Sequence, residues 1–389
     1  MNETQLGVIA LLKSAITQKA ETLPEQFDIE AAYPILRRHG AVAMGYMGAL
    51  CCGIPKELPA MQKLRMDYYA AALKSEGQMA AVKKLTKAFD ENGIDYMLLK
   101  GCNMKALYPA HELRSMGDAD VLIRLEQYPK IRTVLQELGF EEGGEIDHEI
   151  VWKTKALYLE LHKRLIPSTE ADYYQYYGDG WGFAKAGNGH SHKMTDEDAF
   201  IFIFTHFTKH YRDFGIGCRH VVDLWVYLRS YPNLDEAYIK KELKELGLYD
   251  FYCNMRNMIC AWFEEGTWDD KAELITNVVF ANGNWGNAKN HMLSEVVRSQ
   301  NTQKTSGKSK VKWFWDLIFL PIGQMRYRYP VLKRYPVLLP LCWVARWFDI
   351  LFRRSGNIAS NYKRFVYTTV EEIETHEQAL SFVGLRFEK

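Results

Sequence analysis

Asp118 and Asp120 stand two residues apart at the head of an apolar run, Arg114-Ser-Met-Gly-Asp-Ala-Asp-Val-Leu-Ile123. In an extended strand alternate side chains point the same way, so this spacing puts both carboxylates on one face. Carboxylates held side by side repel each other, and a cation between them relieves the repulsion; hard oxygen ligands favour magnesium or manganese. The competing reading is a solvated strand end or turn, where aspartate is common. On either reading the two acids are expected to face solvent. A third acid favours the metal. Leu157-Tyr-Leu-Glu-Leu-His162 alternates strictly, with Leu157, Leu159 and Leu161 on one face and Tyr158, Glu160 and His162 on the other. Beside the first strand, Glu160 completes three carboxylates, enough to hold two ions ~4 Å apart for in-line phosphoryl chemistry. At a sheet edge, its polar face would simply be solvated.

Leu98-Leu-Lys-Gly101 precedes the aspartates by 17 residues. Gly101 permits close backbone approach, and the helix start that follows offers unpaired N–H groups to a phosphate. Arg114 has a planar fork suited to phosphate oxygens, or alternatively forms a surface ion pair with Glu112. Lys100 and Lys105 carry the same two readings, with Lys100 nearer the turn. His206-x-x-x-His210 sets two imidazoles on one helical face, followed by Arg219, His220 and Asp223. With no Glu at the second position of a His-Glu-x-x-His motif, the pair reads as polar packing on the wall opposite the carboxylates, contacting substrate or nucleotide, rather than as a zinc site.

The elements that position these groups change texture along the chain. Residues 1–90 are expected to be helical, ending in a pattern through Leu64, Leu73, Met79, Val82, Leu85 and Phe89 that Asn92-Gly93 stops. Strands follow at 94–99 and 118–123, with a short helix from Lys100 to Tyr108 between them and a helix over 127–138 closed by Gly139. Two more strands are expected at 149–153 and 157–162. From Thr195, which with Asp198 resembles a capping arrangement, the chain reads as helical again through Phe200, Phe204 and Phe207. The expected division is an N-terminal helical region (1–90), a core (91–165), a helical substrate-contacting domain (190–300) and a basic aromatic C-terminal segment (308–389), with a polar linker at 300–309.

Composition bounds the function. The 389 residues carry 49 Lys plus Arg against 48 Asp plus Glu, too even a balance for a surface devoted to nucleic acid. Seven cysteines without a Cys-x-x-Cys pair fit neither a disulfide framework nor a thiolate zinc site, which points to a reducing, cytoplasmic setting. The first residues read as an amphipathic helix rather than a signal peptide, and no run approaches the ~18 apolar residues of a transmembrane helix. Residues 308–354 differ: ten Lys or Arg stand against Asp316 and Asp349 amid eleven aromatics. That pattern predicts peripheral docking on an anionic membrane, at its inner face, with Trp and Tyr rings among the headgroups, or else a clamp on the protein's own core.

The order Leu-Leu-Lys-Gly101, then Arg114-x-Met-Gly-Asp-Ala-Asp-Val-Leu-Ile123, then Leu-Gly-Phe140 and Leu-Glu160-Leu-His162 resembles the uncharacterised bacterial nucleotidyltransferase family of the DNA polymerase β superfold. The match covers about residues 90–165 well and the helical part to about 300 more loosely. The resemblance implies an α+β fold: a small mixed-sheet nucleotidyltransferase core flanked by N-terminal helices and a C-terminal helical domain. It implies Gly101 at the glycine turn, Asp118 and Asp120 as metal ligands and Glu160 as the third acid. Cys102 departs from the Gly-Ser or Gly-Gly usual there, so a hydroxyl ligand to the triphosphate would be missing. The implied function is transfer of a nucleoside monophosphate from a nucleoside triphosphate to an acceptor hydroxyl by a two-metal (Mg2+ or Mn2+) mechanism, releasing pyrophosphate, with Lys100, Gly101 and Arg114 on the nucleotide. The alternatives are a non-catalytic nucleotide-binding or antitoxin-like module, and a metal-dependent glycosyltransferase, for which about 25 residues before the Asp pair leave little room.

Overall fold

The computed structural model describes residues 1–168, 170–284, 331–353 and 370–385, together with positions 286, 290, 293, 294, 319, 320, 322, 325, 326 and 329. Four helices open the chain: α1 (Glu3–Thr17), α2 (Ile29–Arg38), α3 (Val42–Cys51) and α4 (Pro59–Glu91). Asn2 and Gln5 cap α1 reciprocally, each side chain accepting the other's backbone N–H. Pro59 starts α4 where its missing N–H is harmless, and Asn92-Gly93 ends it, Gly93 at φ +60°. The second half of α4 buries Val82, Leu85 and Phe89 as expected, but Leu73 is 78% exposed. It shares an outward face with Met66 and Tyr69, so the apolar stripe shifts along the helix.

The sheet has seven strands in the order β3-β4-β5-β2-β1-β7-β6: β1 (Tyr96–Leu98), β2 (Ala119–Ile123), β3 (Glu141–Ile146), β4 (Glu149–Lys153), β5 (Tyr158–His162), β6 (Lys185–Ala186) and β7 (Ser191–Lys193). It is mixed: β2 runs parallel to β5 and β1 to β7, and the other pairs are antiparallel. Between β1 and β2 lies α5 (Lys100–Lys105), shorter than expected, and between β2 and β3 lies α6 (Tyr128–Glu137). One face of the sheet, with Ala119, Val121, Ile123, Leu159, Leu161 and Trp152, packs on α4 and α6 in a single apolar cluster. That packing fixes which way the intervening residues point: Asp120 and Glu160 must face the opposite side. Three strands escape sequence reasoning. The β3 sequence is Glu-Glu-Gly-Gly-Glu-Ile, acid- and glycine-rich because it lies at a sheet edge, and β6 and β7 are too short to show a period.

The second helical region follows α7 (Ala171–Tyr177) with α8 (Asp196–Asp213), α9 (Cys218–Ser230), α10 (Glu236–Glu245), α11 (Tyr249–Phe263) and α12 (Asp270–Ala281). Thr195 caps α8 by accepting the Asp198 N–H, as its sequence indicates. Phe200, Phe204 and Phe207 are buried against Phe251 and Tyr252, a core stack rather than a base platform. One apolar cluster runs from α1–α3 into α8–α12, so the two helical regions share a core. The expected linker at 300–309 lies outside the described residues, as do Trp313 to Trp315.

Near the C-terminus stand α13 (Val331–Arg334), α14 (Leu339–Arg353) and α15 (Val370–Phe382). Trp343 and Trp347 turn inward, each ring edge-on to Phe319 with centroids 5.0 and 5.3 Å away, and Trp343 Nε1 donates to the Leu320 carbonyl at 2.9 Å. The rings expected among lipid headgroups are therefore engaged within the chain. The outward stripe is instead Val337, Leu341, Val344 and Phe348. Among the described residues no helix is long and apolar enough to cross a membrane.

Candidate active site

The β1–α5 junction builds the floor of the site. Leu99 still pairs with β2, its N–H donating to the Asp120 carbonyl at 2.9 Å. Lys100 then takes φ +39°, a left-handed conformation that a side-chain-bearing residue adopts at about 1–3 kcal/mol. The expected glycine turn thus falls one residue early, on Lys100. Its Nζ reaches Asp120 Oδ1 at 2.9 Å. The room that Gly101 leaves is used from within: a Cβ there would lie 3.2 Å from both Arg114 Nη1 and Met116 Cγ.

The parallel register of β2 and β5 sets Asp120 directly opposite Glu160. Asp120 is buried rather than solvent-facing, because β2 is the central strand and α8 and α9 cover its polar side. Its Oδ1 accepts from Lys100 and from His162 Nε2, the latter at 2.8 Å. Burial opposes the charge on Asp120, but Lys100 and His162 outweigh it and hold the carboxyl well below the usual carboxylate range. Glu160 goes the other way. Burial first, then the like charges of Glu149, Asp118 and Asp120, push its carboxyl up to about 8. Asp118, half-buried just before β2, is raised by burial and by Asp120. Four carboxylates against one close ammonium are under-compensated, and the donor atoms of Asp120, Glu160 and His162 lie within 4.8 Å of one another. The donor chemistry therefore fits a divalent cation.

Glu149 is the acid that sequence reasoning missed. The runs 149–153 and 158–162 are joined by a tight turn in which Thr154 and Leu157 pair, so the hairpin register sets Glu149 across from His162. Counting back from that turn would have found it. His148, a single histidine with no spacing signal, escapes sequence reasoning as well, whereas alternation places His162 on the Glu160 face without a role.

Arg114 is neither exposed nor paired with Glu112, which accepts from Tyr68 instead. It is buried, its Nε and Nη2 gripping Asp223 of α9 at 2.7 and 3.0 Å. Arg219 adds a third bond to Asp223 at 3.0 Å and Tyr108 a fourth at 2.7 Å. Lys105 is likewise internal, donating to Ser75 and to the His111 carbonyl; burial and Arg114 bring its ammonium down to about 8. Both side chains are drawn inward because the segment between α5 and β2 folds under α4 and α9.

A cavity of about 600 Å³ separates the sheet from α8 and α9. Lys100, Asp118, Asp120, Glu149 and Glu160 line one side, and His206, His210, Arg219 and His220 line the other. His206 and His210 meet Nε2 to Nε2 at 3.2 Å, which requires one ring to donate and the other to accept. Burial, then the neighbouring cations, hold both neutral, with His210 down at about 4. The pair stands on the wall opposite the carboxylates.

A family model described as an uncharacterised nucleotidyltransferase matches residues 25–264, a span that contains every group named above. The chain belongs to this nucleotidyltransferase family. Two solved structures of the antibiotic-resistance factor ANT(2'')-Ia are similar to it in part. The solution structure is 14% identical, covering 47% of this chain and 96% of its own, with a TM-score of 0.33. The crystal structure in complex with adenylyl-2''-tobramycin is 13% identical, covering 45% and 98%, with a TM-score of 0.31. No curated protein matches the chain.

Proposed function

We propose that this nucleotidyltransferase moves a nucleoside monophosphate from a nucleoside triphosphate to an acceptor hydroxyl, with Asp118, Asp120 and Glu160 holding two divalent cations, Mg2+ or Mn2+. The supporting observation is the β2–β5 register, which turns Asp120 and Glu160 into the same cavity side by side. When bound, the cations would neutralise charge on the triphosphate and favour the acceptor alkoxide. The acceptor oxygen bonds to the α-phosphorus, the bond from that phosphorus to the bridging oxygen breaks, and pyrophosphate leaves with the electron pair. The acceptor proton passes to Glu160, the carboxylate that lies in the cavity beside Asp120. Lys100 and the backbone of Gly101 face the triphosphate; Lys100, held on Asp120 while the carboxylates lack a cation, is free to turn to phosphate once they gain one. Arg114 acts at one remove, as a positioning residue that ties the segment carrying Asp118 to α9. The acceptor is chosen by the wall of α8 and α9.

The test is equilibrium binding of labelled triphosphates with Mg2+ or Mn2+. Asp118→Asn is the cleaner variant, since Asp120→Asn also strips Lys100 and His162 of their partner. Metal-dependent binding should vanish in both; triphosphate binding that survives Asp118→Asn unchanged, or needs no metal, refutes the reading.

We also propose that α14 makes the peripheral membrane contact, at the inner face of an anionic membrane. Support comes from the exposed stripe of Val337, Leu341, Val344 and Phe348, at helical spacing, within a segment of strong positive charge.

A further inference from the structure

His148, Glu149 and His162 form a second cluster beside Asp118, Asp120 and Glu160, and we propose that they make a second site, for a borderline divalent cation such as Zn2+ or Co2+. Each offers a donor atom within 4.8 Å of the others', at the hairpin of β4 and β5. His148 and Glu149 line the cavity wall, and His162 lies beside them, 1% exposed.

The independent observation is what the two rings lack. Nδ1 of His162 and Nδ1 of His148 are both buried with no hydrogen-bond partner, and buried polar atoms are rarely left so. In His162, Nε2 faces a carboxylate oxygen of Asp120 at 2.8 Å, the side from which an imidazole donates, so Nδ1 is the atom left to meet a cation. A carboxylate that orients an imidazole through one nitrogen while the other binds metal is a common supporting arrangement. Two imidazoles and one carboxylate make a three-ligand set with a position open toward the cavity. Imidazole nitrogen favours transition metals over magnesium, so this site and the all-oxygen carboxylates would sort cations by softness.

The site does not rest on the transfer reading, because its ligands include none of Asp118, Asp120 and Glu160. The full chain, stripped with a chelator, is titrated with Co2+ as an optical probe, in excess Mg2+ and without nucleotide. One equivalent should produce visible ligand-field absorption that Zn2+ then abolishes. His148→Gln and Glu149→Gln, each checked for an unchanged circular dichroism spectrum, should weaken Co2+ by on the order of 100-fold, while Asp118→Asn should leave it unchanged. No absorption, absorption indifferent to both His148→Gln and His148→Ala, or Co2+ displaced by Mg2+ and lost in Asp118→Asn would overturn the proposal. The last outcome would assign the ion to the carboxylates alone and leave the transfer reading standing.

Discussion

Asp223→Ala removes the acceptor on which Arg114, Arg219 and Tyr108 all converge. Taking one partner from a buried ion pair destabilises by about 3–5 kcal/mol, because the remaining charge is left desolvated. Here two guanidiniums lose their carboxylate and Tyr108 its acceptor, while Arg219 keeps Asn284 and His220 as partners, so that range is the expectation. At about 2.1 cal/mol/K per residue over 389 residues, the unfolding entropy is roughly 0.8 kcal/mol/K, and the midpoint should fall by about 4–6 °C in calorimetry. Asp223→Asn keeps the volume but not the charge and should lose nearly as much. A double-mutant cycle with Arg114→Met isolates the pair, whose coupling should exceed about 1 kcal/mol. The carboxyl is opposed by burial but held below its ordinary range by Arg114 and Arg219, so its stabilisation is present above the ordinary carboxylate pKa and lost as pH falls through the folded value. A midpoint lowered by less than ~1 °C, or strictly additive variants, would show that α9 is not anchored to the site through this carboxylate.

Glu160 carries the opposite sign. Its folded pKa, about 8, lies above the unfolded value, so the cation-free protein should lose stability as pH rises from the ordinary carboxylate range to about 8; melting curves across pH should flatten on adding Mg2+ and in Glu160→Gln, and parallel curves for that variant and the parent would contradict the charge assignment. His206→Ala and His210→Ala should reduce nucleotidyl transfer far less than Asp120→Asn, because they stand on the opposite wall; equal losses by single-turnover assay would put the imidazoles in the chemistry. Phe348→Glu and Leu341→Glu should each reduce co-sedimentation with anionic liposomes, and high salt should do the same; binding indifferent to both would return α14 to a purely structural role. Gly48→Ala should destabilise strongly by denaturant titration, since the new Cβ would fall 1.9 Å from the Leu11 carbonyl oxygen and force α1 from α3.

Much of this site was legible because its carboxylates obey strand periodicity. Asp120 and Glu160 each sit one step out of phase with apolar residues, Ala119 and Val121 on one strand and Leu159 and Leu161 on the other, and burial of the apolar face fixes where the acids point. What periodicity does not carry is the partner of a side chain. Arg114 looks the same in sequence whether it meets a phosphate or Asp223, which lies 109 residues further on. Only the packing of α9 over β2 decides between them. The same holds for Trp343 and Trp347, whose spacing predicts a face but not whether Phe319 or lipid lies against it.

The left-handed backbone at Lys100 shows how the two kinds of information combine. A glycine would relax that turn without strain, so a lysine there has to return something through its side chain. It returns the only ammonium bonded to Asp120 among the described residues, placed where the acids of β2, β4 and β5 would otherwise repel one another without a cation. Lys100→Gly should therefore relieve the backbone and yet lower cation-free stability, and added Mg2+ should narrow the gap to the parent protein. If the glycine variant were instead more stable at every Mg2+ concentration, the ammonium would contribute less than the turn costs, and the strain would have to be explained by nucleotide alone.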